Sequence, residues 1–311
     1  MGSKIAVLGA GMIGTSWAAI FAQAGHDIVL YDCNTKQIDQ GINSVVKNLN
    51  DLHKYGLVKK NSKPSKNIQG TSSLSDALTG AVYAQESVFE DLETKISFYK
   101  EIDSVIDSNT IVGSSSSSLI ASAFTEKLSC SHRCLVVHPV NPPHLIPLVE
   151  IVPKPSTNKS VTSSVKGLML NVGMDPIVLS REIDGFILNR LQGALLNEAF
   201  YLLENGIASA EDIDKTLSKG LGRRWAFMGP FETLDLNAPE GIIDYCNRYS
   251  SLYLELAKQF EKPKLWDSTV VEKLSVTMKN KYPNRDFDQR QKLRDRRLAA
   301  LAAHLADDNK I

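Results

Sequence analysis

The sequence is short of the features that mark a metalloprotein, a disulfide scaffold, a membrane protein or a nucleic-acid binder. It has four cysteines in 311 residues: Cys33, Cys130, Cys134 and Cys246. Cys130 and Cys134 supply at most half of a metal-ligand pattern and no second half follows, so no metal is expected. All four read as free thiols in a reducing compartment. Charge excess is missing too: Lys+Arg and Asp+Glu each total 35, for a formal net charge of zero. Nucleic acid or an anionic membrane normally demands a basic excess, so neither is expected as a partner. A small carboxylate needs only one or two arginines and is not excluded. No apolar run reaches the ~18 residues that would span a bilayer. At the N-terminus a strand pattern begins at Lys4 with no basic segment and long apolar run ahead of it, so the expected address is cytoplasmic.

What is present is an ordinary globular composition, 43% hydrophobic and 23% charged, in a chain long enough for two domains. Short apolar runs alternate with amphipathic segments in the first half. Strands are predicted at Lys4–Leu8, Asp27–Tyr31, Ala81–Glu86, Thr110–Ser114, Arg133–His138, Leu148–Val152 and Pro176–Leu179, with helices at Ile13–Ala24, Thr35–Leu49 and Leu92–Ile106 between them. The stretch Lys54–Gln69, with Lys59, Lys60, Lys63, Pro64 and Lys66, breaks the rhythm and reads as a solvated loop or helical excursion. After Asp184-Gly185 the pattern becomes helical: Leu188, Leu191, Leu195, Ala199 and Leu202 share one helix face, Gly206 follows as a C-terminal stop, and Ser209 with Asp212 opens the next helix. Gln289–Ala306 reads as a packed terminal helix. The predicted fold class is α/β, a Rossmann-type, doubly wound, mostly parallel sheet in residues 1–184 followed by an all-α C-terminal domain in 185–311.

Gly9-Ala10-Gly11-Met12-Ile13-Gly14 follows the apolar run Ile5–Leu8 at once and opens a helix. In that strand–turn–helix setting a Gly-x-Gly-x-x-Gly predicts a dinucleotide site. Gly9 permits the tight turn, Gly11 lets the backbone approach a pyrophosphate, and Gly14 lets helix and strand pack closely, while the helix N-terminus offers N–H groups to the phosphates. The second strand runs into Asp32, about 20 residues on. Its carboxylate would accept hydrogen bonds from ribose hydroxyls and repel a 2′-phosphate, which favours NAD over NADP. Flavoproteins share the fingerprint, so FAD remains open on this evidence.

His138 ends an apolar strand on the carboxyl edge, where open α/β sheets place their ligands, and Glu150 lies on the next extended run. Oxidising an alcohol with a nicotinamide cofactor requires a base for the hydroxyl proton, and histidine suits that task. A carboxylate on the other ring nitrogen would orient the imidazole. On spacing alone, a core histidine with an unrelated glutamate fits as well.

Longer stretches decide between these. Val137-His138-Pro139-Val140-Asn141-Pro142-Pro143, Ile146-Pro147-Leu148-Val149-Glu150, Glu182–Gln192, Gly220-Leu221-Gly222 and Arg224–Pro230 resemble, in order, the 3-hydroxyacyl-CoA dehydrogenase superfamily. Within it the chain is most similar to the lambda-crystallin branch, whose members act as L-gulonate 3-dehydrogenases. The resemblance implies NAD as cofactor and a homodimer formed through the helical domain. It implies His138 as catalytic base with Glu150 as partner. Ser117 would hydrogen-bond the substrate oxygen, and Asn189 would reach the same oxygen or the histidine. Asn141 would join Ser117 on the substrate. Glu90 and Lys95 would contact the nicotinamide half of the cofactor, with Met12 and Ile13 joining Gly9, Gly11, Gly14 and Asp32 on the adenosine and pyrophosphate side.

The chain departs from acyl-CoA members of that superfamily. Pro139 and Val140 stand where many have two phenylalanines, Ser114-Ser115-Ser116 where many have Ser-Asn-Thr, and Arg223–Phe227 is extra. A planar guanidinium at Arg224 suits a free carboxylate, which a hydroxy acid has and a thioester lacks. The expected substrate is a small 3-hydroxy acid, L-gulonate first. L-carnitine, a short-chain 3-hydroxyacyl-CoA, and a structural crystallin-like NADH-binding protein are the alternatives, with Trp225, Phe227 and Tyr245 as candidates to surround a trimethylammonium.

Overall fold

The computed structural model describes residues 2–57, 67–259, 265–283 and 286–308, so most of the lysine-rich excursion, residues 58–66, lies outside the described residues. Contacts divide the chain into two units, one of residues 1–191 with 289–311 and one of residues 192–288.

The first unit holds one eight-stranded sheet in the order β3-β2-β1-β4-β5-β6-β7-β8. The strands are β1 (Lys4–Leu8), β2 (Asp27–Tyr31), β3 (Ile68–Thr71), β4 (Tyr83–Glu86), β5 (Ile111–Ser114), β6 (Cys134–Pro139), β7 (Leu148–Val152) and β8 (Asp175–Val178). Its helices are α1 (Met12–Gln23), α2 (Thr35–Lys54), α3 (Leu74–Leu78), α4 (Leu92–Val105), α5 (Ala121–Thr125), α6 (Lys159–Asn171) and the start of α7 (Leu188–Glu204). Pairing is parallel throughout except between β6 and β7. Continuous apolar runs such as Ile5–Leu8 become central strands because both faces of the sheet are covered. Alternate residues of β1 serve the two faces: Ile5 and Val7 join Trp17 and Phe21 in one core, while Ala6 and Leu8 join Tyr99 and Ile102 in the other. This is the doubly wound arrangement that the alternation of strands and helices predicted.

β3 was not anticipated in the sequence. Ile-Gln-Gly-Thr is a four-residue edge strand with no buried residue, so it carries no apolar run. Gly70 lies so close to α2 that a Cβ would stand 2.1 Å from Ile38 Cγ2.

The second unit contains the rest of α7, then α8 (Ala210–Lys215), α9 (Gly222–Trp225), α10 (Pro230–Leu236), α11 (Gly241–Lys258) and α12 (Ser268–Lys281). Gly206, at φ +66°, ends α7 in the left-handed conformation that suits glycine. The Ser209 hydroxyl accepts the Asp212 amide and donates to its carboxylate, capping α8 as the spacing predicted. Pro230 occupies the first turn of α10, where its missing N–H is harmless. Phe200 and Trp266 stack with ring centroids 4.2 Å apart, and the indole N–H donates to Asn197.

The last helix, α13 (Phe287–Asp308), was expected to belong to the C-terminal domain. From Gln289 onward it groups with the first unit instead. Ala299 and Leu298 pack there with Leu52, Tyr55 and Leu145, which gives the terminal helix its apolar partners. No helix among the described residues is long and apolar enough to cross a membrane.

Candidate active site

The glycine turn is built for two kinds of close approach. A Cβ on Gly9, which sits at φ +108°, would stand 2.6 Å from the Ser87 carbonyl oxygen, and one on Gly14 would stand 1.9 Å from the Gly9 carbonyl oxygen. The protein's own backbone therefore demands both glycines. At Gly11 no described atom lies within 4 Å of an added Cβ, its chain neighbours aside. Nothing in the protein requires glycine there, and a ligand drawn close to the backbone does. No side chain caps α1 at Gly11, so the first turn, with Met12 and Ile13, keeps its N–H groups for an anion. Asp32 accepts the Ala10 amide on one oxygen and the Asn34 amide on the other, both at 3.0 Å. It lines a cavity of about 810 Å³ together with Gly9, Gly11, Tyr31, Val88 and Phe89. The donors, the open approach at Gly11 and the fixed carboxylate fit a dinucleotide with an unphosphorylated ribose.

β6 and β7 bring the histidine and glutamate together. Their antiparallel register sets His138 directly opposite Glu150, where side chains are near neighbours, and Nδ1 lies 2.8 Å from Oε2. The second carboxylate oxygen accepts the amides of Ile187 at 2.8 Å and Leu188 at 3.0 Å, where α7 begins. Burial alone would push the Glu150 carboxyl up. Hydrogen bonds from His138 and from the Leu188 and Ile187 amides outweigh it and hold the carboxyl below its ordinary value. A carboxylate at this distance can only accept, which favours a proton on Nδ1.

Two consecutive left-handed residues, Gly185 at φ +73° and Phe186 at φ 49°, precede those amides. A left-handed phenylalanine is uncommon. This one is buried, its ring centroid 5.4 Å from that of His138. Phe186 was not singled out from the sequence, where it is one apolar residue among many.

Asn189 meets the backbone of Ser117: its side-chain amide Nδ2 donates to the Ser117 carbonyl at 2.6 Å. Glu90 wraps the serine loop, with one oxygen accepting the amides of Ser117 at 2.8 Å and Ser118 at 3.0 Å and the Ser116 hydroxyl at 2.7 Å. Burial works against the Glu90 anion, but the Ser116 hydroxyl, the Lys95 charge and the two amides hold its carboxyl below the ordinary value.

Lys95 differs from expectation. It is 1% exposed, and its ammonium is enclosed by Glu86 at 2.8 Å and Glu90 at 3.4 Å. An ammonium so enclosed has no surface to offer a cofactor. Glu86, which closes the pair from below, was missed; three charged residues spaced over one strand end and the next helix were the available signal. Asn141 is exposed in the loop after β6. Arg224 lies in the second unit on α9, exposed and with no carboxylate partner among the described residues, beside a Trp225 that is itself exposed.

Residues 4–183 match the NAD-binding domain of 3-hydroxyacyl-CoA dehydrogenase and residues 185–284 match its C-terminal domain. The chain belongs to the 3-hydroxyacyl-CoA dehydrogenase family. Members are NAD-dependent oxidoreductases acting on CH–OH groups, and NAD is the cofactor. Lambda-crystallin of Oryctolagus cuniculus is 39% identical over 90% of this chain and 88% of its own length. L-carnitine dehydrogenase of Oceanobacillus iheyensis is 38% identical over 75% of each chain. Among solved structures, an NAD⁺-dependent dismutase, 5-formyl-3-hydroxy-2-methylpyridine 4-carboxylic acid 5-dehydrogenase, superposes with a TM-score of 0.87 at 28% identity, covering 98% of this chain and 99% of that one.

Proposed function

We propose that this protein oxidises the secondary alcohol of a small 3-hydroxy acid, L-gulonate to 3-dehydro-L-gulonate first among them, with His138 as base. The observation that carries the reading is the His138–Glu150 pair at 2.8 Å, with the second Glu150 oxygen held by two amides. NAD, when bound, accepts the hydride from the carbinol carbon. His138 Nε2 takes the hydroxyl proton, and the Glu150 anion stabilises the imidazolium that results. Ser117 and Asn189 orient the carbinol oxygen, Asn141 contacts the substrate, and Glu90 faces the nicotinamide half of the cofactor. Gly9, Gly11, Met12, Ile13, Gly14 and Asp32 hold the remainder.

The free carboxylate is the part of the substrate supported from several directions. The carnitine dehydrogenase and the solved pyridine-carboxylic acid dehydrogenase are both named for carboxylates. The guanidinium of Arg224, with no carboxylate partner among the described residues, is the proposed ligand for that group. L-carnitine is a second reading, favoured by the exposed aromatic rings of Trp225 and Phe227 near Arg224 in sequence. We further propose a cytoplasmic homodimer formed through the second unit, whose apolar side chains are largely exposed. NADH formation from L-gulonate, L-carnitine and 3-hydroxybutyryl-CoA in parallel tests the substrate. Turnover of L-gulonate with the highest kcat/KM is expected. NADH binding with no turnover of any of the three would replace the enzyme by a crystallin-like binding protein.

A further inference from the structure

We propose that Glu86 is a positioning residue for the reaction: it clamps the buried ammonium of Lys95, Lys95 anchors Glu90, and Glu90 fixes the backbone that carries Ser117. The inference rests on the role assigned above to Ser117.

Glu86 ends β4 and is paired in register with Ser114 at the end of β5, so it belongs to the rigid edge of the sheet. Its carboxylate is saturated. One oxygen takes the Lys95 ammonium and the Val88 amide, both at 2.8 Å; the other takes the ammonium at 3.1 Å and the Ser114 hydroxyl at 2.5 Å. No lone pair is left for a ligand, and Glu86 is 0% exposed. Lys95 spends its ammonium on the two glutamates above the Phe124 ring. A buried ion pair is seldom retained for stability, since apolar replacements often do as well. Of the three, Glu90 is the one member with a third of its side chain exposed, so it is the end of the cluster that reaches the site. Glu90 then gathers Ser116, Ser117 and Ser118 on one oxygen. The Ser117 carbonyl in turn receives Asn189 from α7, whose first amides are held by Glu150. The serine loop and the histidine pair are thereby tied to one frame, and Glu86 is its fixed end.

The double variant Glu86→Gln/Lys95→Met removes the pair without stranding a buried charge, and Glu90→Gln cuts the same chain one link later. On the hydroxy acid that the parent enzyme turns over fastest, the double variant should lose at least tenfold in kcat with KM for NAD within twofold. Glu90→Gln is read by exchange alone, because Glu90 also faces the cofactor and its kcat mixes the two roles. Hydrogen exchange at the Ser117 and Ser118 amides, read without substrate, should accelerate at least tenfold in the double variant and in Glu90→Gln. Parental kcat in the double variant, or unchanged exchange in either variant, would overturn the proposal. Should the double variant not fold, Glu86→Gln alone decides through the same exchange rates, since Glu90→Gln tests only the last link. His138→Asn, measured in parallel, separates the two ideas. If it stays active, the assignment of the base is wrong; if it is inactive while the double variant keeps parental kcat and exchange, only the positioning role of Glu86 fails.

Discussion

The two units differ in how they use their apolar residues. The first sends alternate residues of β1 into two cores and buries Trp17, Phe21, Tyr99 and Phe186. In the second, Thr233 and Val270 are the only buried residues among those described, while Phe231 is 75% and Ile243 74% exposed. An exposed apolar side chain is unremarkable alone, but a run of large ones across several helices marks a surface that another surface covers. The first unit completes its own core and carries the polar machinery. In the second, side chains cap α8 and α12, and the described residues form no buried core of their own, which supports the proposed homodimer.

The largest effect should come from breaking the first unit's chemistry while leaving its core untouched. His138→Asn keeps a polar side chain beside Glu150 and is expected to lower kcat by about 10³-fold, within the range for loss of a general base. NADH binding, followed by fluorescence, should stay within about threefold of the parent, because the glycine turn and Asp32 do not touch the imidazole. Arg224→Met tests the second unit's share. Loss of a bidentate charge-assisted contact should raise KM for the hydroxy acid by about 10–100-fold with kcat and KM for NAD little changed. An unchanged KM would remove Arg224 from the substrate site. Next comes the exposed apolar surface itself: Phe231→Glu/Ile243→Glu should weaken self-association at least tenfold, since an unpaired charge would have to enter the interface. Light scattering across a dilution series would show the shift, and an unaltered mass would place the covered surface elsewhere.

The sequence foretold the features with a strong local signature. The apolar run Ile5–Leu8, the three glycines and Asp32 stand together within one strand–turn–helix–strand segment, and each occupies the place its chemistry suggested. The His138–Glu150 pair was legible as an idea, but the spacing of twelve residues becomes a contact only through the antiparallel register of β6 and β7. Other features depend on how separate elements come together. Lys95 was expected at the cofactor; Glu86 and Glu90 stand close to it in sequence, but their enclosure of the ammonium appears only once β4 and α4 are placed side by side. Phe186 gives no sign of its positive φ, and it directly precedes the two amides that Glu150 holds. The apolar face of α13 announced packing but not its partner, since Leu52 and Leu145 lie far away in sequence.

The smallest expected effect sharpens the comparison through electrostatics. In the first unit the Asp103 carboxylate receives the Ser129 hydroxyl at 2.7 Å and the amides of Ser129 at 2.9 Å and Cys130 at 2.7 Å. Burial opposes the anion, but these donors hold the carboxyl down to about 2 from an ordinary 3.8. In the second unit Asp244, its own side chain 13% exposed, is lowered first by the hydrogen bond from the exposed Arg248 guanidinium at 2.6 Å. Both carboxyls are lowered by folding, so both favour the folded state above the unfolded value and lose that contribution as pH falls through the folded one. For Asp103 the window runs from about 3.8 down to about 2. The melting-point gap between the parent and Asp103→Asn should therefore be constant above about pH 5 and close across that window. Salt should tell the two units apart at pH 7. The Asp103 partners are fixed dipoles, whereas the Asp244 partner is an exposed charge that about 0.5 M salt screens. The gap for Asp244→Asn should shrink in salt to within about a degree, and the gap for Asp103→Asn should persist. Equal salt responses would mean that the first unit, like the second, leans on exposed charge pairs, and the contrast between a unit held by its own backbone and one held by its surface would not survive.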